Sequence, residues 1–387
     1  MVQGLVARSV ARRVLLLACL AGGNAGWSDR EALVGYVSGE ELGKLVGLSR
    51  AAVHKHIEKL RTAGFAIERA AGTGYRLAQA FGDMLVPEAV VYWLLVQEFC
   101  APASSTTPAK NVPRPDASLP AVGLPYYYLR ECLSTNLALK ESATSAVSGA
   151  TVAADCQTAG RGRLDRKWVS EPFRDLAFSV FLRPRLGPSE APLLSLAAAV
   201  AVVETLEAIP ELKGLVGIKW PNDVMVEGKK VCGILLEAAM EMDQVQWAIV
   251  GIGVNVNSDP GALRRYLAEA RPQEWRGRPE PVSLLALLGR PLPRAVLLAA
   301  LLRSLAQCLA LVEERDGRNL LLDSVRKRDV LQGRKVKVRF GHGPEESLEG
   351  QAEGLGPGGQ LLVRSMTGDT FWVTAGDVVL LEETSSG

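Results

Sequence analysis

The chain has 387 residues, enough for two or three domains at about 150 residues each. With 48% hydrophobic and 22% charged residues it has the composition of a globular protein, which excludes wholesale disorder and a disulfide-stapled miniprotein. Forty-four Lys and Arg against 42 Asp and Glu leave a formal charge of +2, so no global field marks nucleic acid or an acidic partner and any basic surface has to be local.

Six cysteines (Cys19, Cys100, Cys132, Cys156, Cys232, Cys308) are scattered without a C-x-x-C pair. That pattern fits free thiols in a reducing, cytoplasmic setting and supplies no metal framework. No apolar run reaches the ~18 to 20 residues that span a bilayer, so no membrane partner is expected. Arg12 and Arg13 followed by Val14 to Ala21 imitate the start of a secretory leader. The competing and preferred reading is an amphipathic first helix with Val14, Leu17, Cys19 and Leu20 on its inner face.

Residues 39–60 carry helical periodicity, with Leu42, Leu45 and Val46, a Gly47-Leu48-Ser49 break, then Val53, Ile57 and Leu60. Ser49 is a good N-cap for the second helix, and residues 50–61 hold Arg50, Lys55, Lys59 and Arg61 against the single acid Glu58, with His54 and His56 besides. Phe65 to Glu68, a Gly72-Thr73-Gly74 turn and Tyr75-Arg76-Leu77 then read as a hairpin, so residues 1–80 are expected to form a winged helix-turn-helix, with 1–37 an extension or first helix. A helix pair with a merely solvated basic face is the alternative from spacing alone. Residues 81–120 are assigned to a linker because 101–120 contain five prolines among Ser, Thr and Ala.

Beyond it, strand-like runs at 126–129, 151–156, 176–182, 216–220, 231–237 and 245–251 alternate with helical stretches near 136–145 and 189–208, an α+β domain over 121–328. The apolar run Leu193 to Val203 ends in Glu204 and Glu207 and is read as a core helix. From 329 to 387, short β segments near 335–340, 351–355, 360–364 and 378–381 between Gly-rich turns suggest a small barrel.

The chemistry lies in the middle domain. Gly160-Arg161-Gly162-Arg163-Leu164-Asp165-Arg166-Lys167-Trp168 sets glycines between arginines and ends in an indole. Glycine admits backbone N–H groups close to an anion, Arg offers bidentate donors and Trp168 could cover a base. The segment is neither a Walker loop nor a dinucleotide fingerprint, and alone it equally fits a solvated basic loop. Lys219-Trp220-Pro221-Asn222-Asp223, Lys229 to Leu235 and Gly251-Ile252-Gly253-Val254-Asn255 then lie at strand ends, where polar groups converge on a ligand. Asn222 and Asn255 could read a base edge or serve only as turn residues, Lys219 and Lys230 could neutralise phosphates, and Trp220 reads as core.

In this order, Ser134-Thr135-Asn136, Gln157-x-Ala-Gly-Arg-Gly-Arg, Lys-Trp-Pro-Asn-Asp, Lys-x-x-Gly-Ile-Leu and Gly-x-Gly-x-Asn resemble the biotin protein ligase family over 126–257. Residues 38–64 and 72–77 resemble the winged helix of its bifunctional repressor subgroup. The resemblance implies a mixed-sheet α+β biotin/lipoate-ligase-like catalytic domain and a C-terminal SH3-like small β-barrel. It also implies activation of biotin by ATP with Mg2+ to biotinyl-5′-adenylate, then transfer to a lysine of a biotin carboxyl carrier protein.

By position it assigns Ser134, Thr135, Asn136 and Gln157 to biotin. Arg161, Gly162 and Arg163 fall on the loop over the acyl phosphate, Lys230 on the carboxyl, Lys219 on the phosphates, and Trp168, Asn222 and Asn255 on adenine. Arg161, Arg163, Lys219 and Lys230 are the implied catalytic groups. Operator DNA would meet Ser49, Arg50, Ala51, Ala52, His54, Lys55, Lys59, Arg61 and Arg76, with a homodimer formed through the middle domain. Asp165 departs from the loop, where glycine is commoner, and is expected to point outward. A ligase with a vestigial DNA-binding domain and a lipoate or octanoate ligase remain as alternatives.

Overall fold

The structure is a computed structural model that describes residues 8–21, 35–95, 122–164, 166–259, 261–263, 265, 279–340 and 347–381. The chain divides into two units, one of residues up to Tyr128 with Pro293–Ala300, the other of Leu129–Leu292 with Leu301 onward.

In the first unit, α1 (Arg8–Ala21) buries Val14, Leu16, Leu17, Ala18 and Leu20, and Arg13 pairs with Glu88 at 2.5 Å. The amphipathic helix is therefore present, although Cys19 is only half-buried and Leu16 takes the place expected for it. Helix α2 (Gly39–Val46) starts at Ser38, whose Oγ accepts from Glu41 N–H, and ends at Gly47 with φ 67°. A Cβ at Gly43 would lie 2.5 Å from the Leu48 carbonyl, so the tight turn needs glycine there. Helix α3 (Arg50–Thr62) is capped by Ser49 through Ala52 N–H and buries Val53, Ile57 and Leu60 as the periodicity requires. Leu45 departs from that reading: it is 64% exposed, since α2 packs through Leu42 and Gly43.

Strands β1 (Ile67–Ala70) and β2 (Gly74–Leu77) form the expected antiparallel hairpin, and Val37 bridges to Tyr75 beside it. The linker assignment fails for its first part. Residues 87–95 form α4 (Pro87–Leu95), almost wholly buried, because Tyr92 and Trp93 pack with Phe81, and Phe81 with Phe65. Apolar content, which the proline-rich stretch lacks, decided the outcome. Residues 101–120 lie outside the described residues.

The larger sheet has the order β3-β4-β5-β9-β8-β7-β6, from β3 (Tyr126–Leu129), β4 (Thr151–Ala154), β5 (Leu176–Leu182), β6 (Val216–Lys219), β7 (Asp223–Val226), β8 (Lys229–Glu241) and β9 (Gln244–Val254). The unit boundary falls within the edge strand β3. Strand β7 was not anticipated, being only four residues across a tight turn from β6. Helix α5 (Thr135–Glu141) precedes β4, and α6 (Pro192–Glu207) is buried on nearly every side, which explains its unbroken apolar run. After α7 (Leu284–Leu288) come α8 (Arg294–Glu313) and α9 (Arg315–Arg326). Two stretches, Pro188–Glu207 and Arg294–Glu313, are long and apolar enough to cross a bilayer, contrary to the sequence reading, yet 78% and 61% of those windows are buried inside the protein.

The C-terminal strands β10 (Lys335–Arg339), β11 (Ser347–Leu355), β12 (Leu361–Ser365), β13 (Thr370–Val373) and β14 (Asp377–Leu380) make an antiparallel sheet ordered β13-β12-β11-β10-β14. Strand β13 was missed because Phe371 and Trp372 are exposed and break the usual alternation. The indole of the buried Trp220 donates to Gly359 O at 2.8 Å, and a Cβ at Gly359 would reach 2.7 Å from Leu196, so this sheet is keyed onto α6.

Candidate active site and helix-turn-helix face

One pocket in the larger unit gathers every residue that the sequence assigned to catalysis, biotin or nucleotide: Ser134, Thr135, Asn136, Gln157, Arg161, Gly162, Arg163, Trp168, Lys219, Asn222, Lys230 and Asn255. They come from the start of α5, the 157–168 loop, the β6–β7 turn, the start of β8 and the end of β9. Among the described residues six cations line it (Arg161, Arg163, Arg166, Lys167, Lys219, Lys230) against two carboxylates, Asp223 and Asp377, so the pocket favours an anion.

One end is a hydrogen-bonded chain. Thr135 N–H donates to Gln157 Oε1 at 2.9 Å, and the Thr135 and Ser179 hydroxyls are 2.6 Å apart. Ser179 Oγ donates to Asn136 Oδ1, and Asn136 Nδ2 donates to Glu237, which also pairs with Lys140 at 3.3 Å. A Cβ at Gly251 would stand 2.1 Å from Asn136 Oδ1, so glycine on β9 makes room for the amide. Sequence reasoning gave no role to Ser179 or Glu237. Ser179 had a signal, being the lone hydroxyl in the apolar strand LAFSVFL.

The loop turns back on itself. Gly162 N–H donates to Arg166 O, and Trp168 N–H donates to Gly160 O. Gly160 admits that crossing, since a Cβ would lie 2.5 Å from Trp168 O. The Trp168 ring sits over Gly233 and Gly253, which are register partners on β8 and β9; Cβ atoms there would come within 2.8 and 2.3 Å of it. Lys230 Nζ lies 5.6 Å from the ring centroid and pairs with Asp223 at 2.6 Å. Arg166 makes a two-point ion pair with Asp377, at 3.0 and 2.5 Å. Asp377 lies 211 residues further along the chain than Arg166, and no local pattern announced it. Asp165 lies outside the described residues.

Burial pushes the Lys219 ammonium below the usual lysine range, against the pull of Asp223 and Asp377, and it lowers Arg163 likewise. Asn222 donates to Ile234 O at 2.7 Å and accepts from Arg163 at 3.5 Å. Asn255 donates to Val282 O, while its buried Oδ1 has no hydrogen-bond partner among the described residues and is available to a donor on a ligand. Among the described residues no group of three His, Cys, Asp or Glu side chains could hold a metal ion.

In the smaller unit, Ser49, Arg50, Ala51, His54, Lys55, Lys59 and Arg61 are exposed along α3, with Ala52 half-buried. His54 Nδ1 lies 3.1 Å from Tyr75 OH, joining the helix to the hairpin. Arg76 is drawn to Glu68 at 2.6 Å and lies over the Tyr36 ring. His56, not assigned to DNA, is held below the ordinary histidine range by burial and by Arg13, Lys59, Arg12 and Lys55.

Residues 130–255 match the biotin/lipoate A/B protein ligase family, and residues 34–76 match a helix-turn-helix domain family. The bifunctional ligase/repressor BirA of Escherichia coli is 31% identical over 84% of this chain and 87% of its own length. Its counterparts in Bacillus spizizenii and Bacillus subtilis are 37% and 36% identical, and the match spans only 61% and 62% of their length. The biotin protein ligase of Aquifex aeolicus in complex with biotin and ATP is 30% identical, with a TM-score of 0.52 over 67% of this chain and 99% of that one. Two family matches in the right order, and a relative matched along most of both chains, converge with the pocket: the chain belongs to the bifunctional biotin protein ligase/repressor family.

Proposed function

We propose that the protein activates biotin with ATP and transfers it to a lysine of a biotin carboxyl carrier protein. The observation that carries this reading is the convergence of the separated motifs on one cation-rich pocket. A biotin carboxylate oxygen attacks the α-phosphorus; the bond from phosphorus to the bridging oxygen breaks and pyrophosphate leaves. The acceptor amine then attacks the acyl carbon, the bond to AMP breaks, an amide forms and the amine proton passes to solvent.

Neither step needs a histidine base, because positioning and charge neutralisation supply the catalysis. Arg161, Gly162 and Arg163 cover the acyl phosphate, Lys230 meets the carboxyl and Lys219 the phosphates. Ser134, Thr135, Asn136 and Gln157 hold the ureido end. Trp168, Asn222 and the Asn255 Oδ1 hold adenine. Mg2+ would come with ATP as the counter-ion of its phosphates, because the two carboxylates among the described pocket residues are already paired with Lys230 and Arg166. Biotin attached to the carrier lysine, found by peptide mass spectrometry after incubation with biotin and ATP, is the expected product; an unmodified carrier contradicts the reading.

The same proposal makes the protein a cytoplasmic homodimer, paired through the larger unit, whose α3 enters operator DNA with the hairpin alongside. The free thiols at Cys19, Cys132, Cys156, Cys232 and Cys308 support the compartment, and the five-stranded C-terminal sheet supports an SH3-like module. Biotin with ATP should tighten a gel shift on a biotin-operon promoter. A ligase that binds DNA without sequence preference is the second reading, favoured by Arg76 being held by Glu68 and Tyr36; it predicts a salt-dependent shift indifferent to biotin.

A further inference from the structure

The loop before β5 grips the chain that follows β9. Asp175 is 3% exposed; its Oδ2 accepts from Glu171 N–H at 2.9 Å and its Oδ1 accepts from Val256 N–H at 2.8 Å. Arg174 O accepts from Asn257 N–H at 3.1 Å, and Glu171 Oε2 accepts from Asp259 N–H at 3.0 Å. The gripped segment begins one residue after Asn255, whose own N–H is bonded to Val231 O. Asn255 thus stands between the β8 ladder and a buried carboxylate.

We propose that Asp175 is a positioning residue for the nucleotide half of the pocket, fixing the backbone at Val256 and through it the direction of the Asn255 amide. The inference rests on the ligase reading above. An ionised carboxylate accepts from both N–H groups at once. A protonated one places an O–H toward one of them and loosens the grip. Burial raises Asp175 to about 6, and Ser258 and the backbone donors pull the other way; the charged neighbours on the two segments are Glu171, Arg174 and Asp259. A raised carboxylate pKa means that the folded chain holds this proton more tightly than the unfolded chain does. Acidification through about 6 therefore weakens the grip without removing fold stability through this group.

The test is Asp175→Asn and Asp175→Ala in the full chain, with biotin-dependent exchange of pyrophosphate into ATP followed from pH 5.5 to 8 and amide hydrogen exchange followed over 253–259. Asn keeps the shape but sets an NH2 against a backbone donor. It should raise KM for ATP about tenfold at pH 7.5, the ~1.4 kcal/mol equivalent of one charge-assisted bond, leave KM for biotin within about twofold, and abolish the acid limb expected of the parent near pH 6. Val256 N–H should exchange at least about tenfold faster in both variants. Unchanged KM for ATP, or equal rises for both substrates, would overturn the positioning role. A parent protein that exchanges nothing in response to biotin would overturn the ligase reading instead, while Val256 protection still reports on the grip.

Discussion

The two candidate functional surfaces are built by opposite means. The α3 face draws its groups from residues 49–61, contiguous in sequence and brought to one side by the helical repeat. The pocket draws its groups from residues as far apart as Ser134 and Asp377, and only the sheet brings them together. The helix face is exposed and its charges are screened by water and salt. The pocket buries Lys219, Asn255, Thr135 and Asn136, so these groups act at higher strength and need a partner or a ligand. A local surface tolerates single changes; a convergent one depends on packing.

That contrast is broken most severely at the glycines. Gly253→Val would drive its side chain into the Trp168 ring, where even a Cβ stands at 2.3 Å. Overpacking of ~3 kcal/mol predicts a loss of kcat/KM of more than about 100-fold, with the fold retained by circular dichroism. Arg163→Ala removes a half-buried cation and its contact with Asn222; biotin-dependent adenylation should fall by about 100-fold, as for other preorganised charge stabilisers. A loss below threefold would show that the loop does not reach the phosphate.

Asp377→Asn tests whether the C-terminal sheet serves the site. Releasing Arg166 should raise KM for ATP by about fivefold, in line with a partly buried ion pair, and KM for biotin should hold. On the helix face effects should be small and even. Lys55→Ala should lower the slope of log K against log salt by about 0.9, and leave carrier biotinylation unchanged. Ser49→Ala should cost about 1 kcal/mol of stability by chemical denaturation, through the lost N-cap.

What the sequence revealed follows the same division. Ser49 as a cap, the buried trio Val53, Ile57 and Leu60, and the 67–77 hairpin were legible because spacing along one element determines them. The pocket residues were legible through their motifs and order; no periodicity could bring Gln157 to Thr135 or Gly233 to Gly253. Asp377, Ser179 and Glu237 went unassigned because their partners lie 43 to 211 residues away. Helix α4 was hidden by its neighbourhood, since the proline-rich stretch after it lent its character to the whole of 81–120.

The claim that the motifs converge on adenylate chemistry is tested most directly by labelled pyrophosphate exchanging into ATP, with biotin or lipoate added to the full chain. Exchange stimulated by biotin and not by lipoate, and lost in Lys230→Ala, is the predicted result. Exchange with lipoate alone, or none with either acid from folded protein, would contradict it.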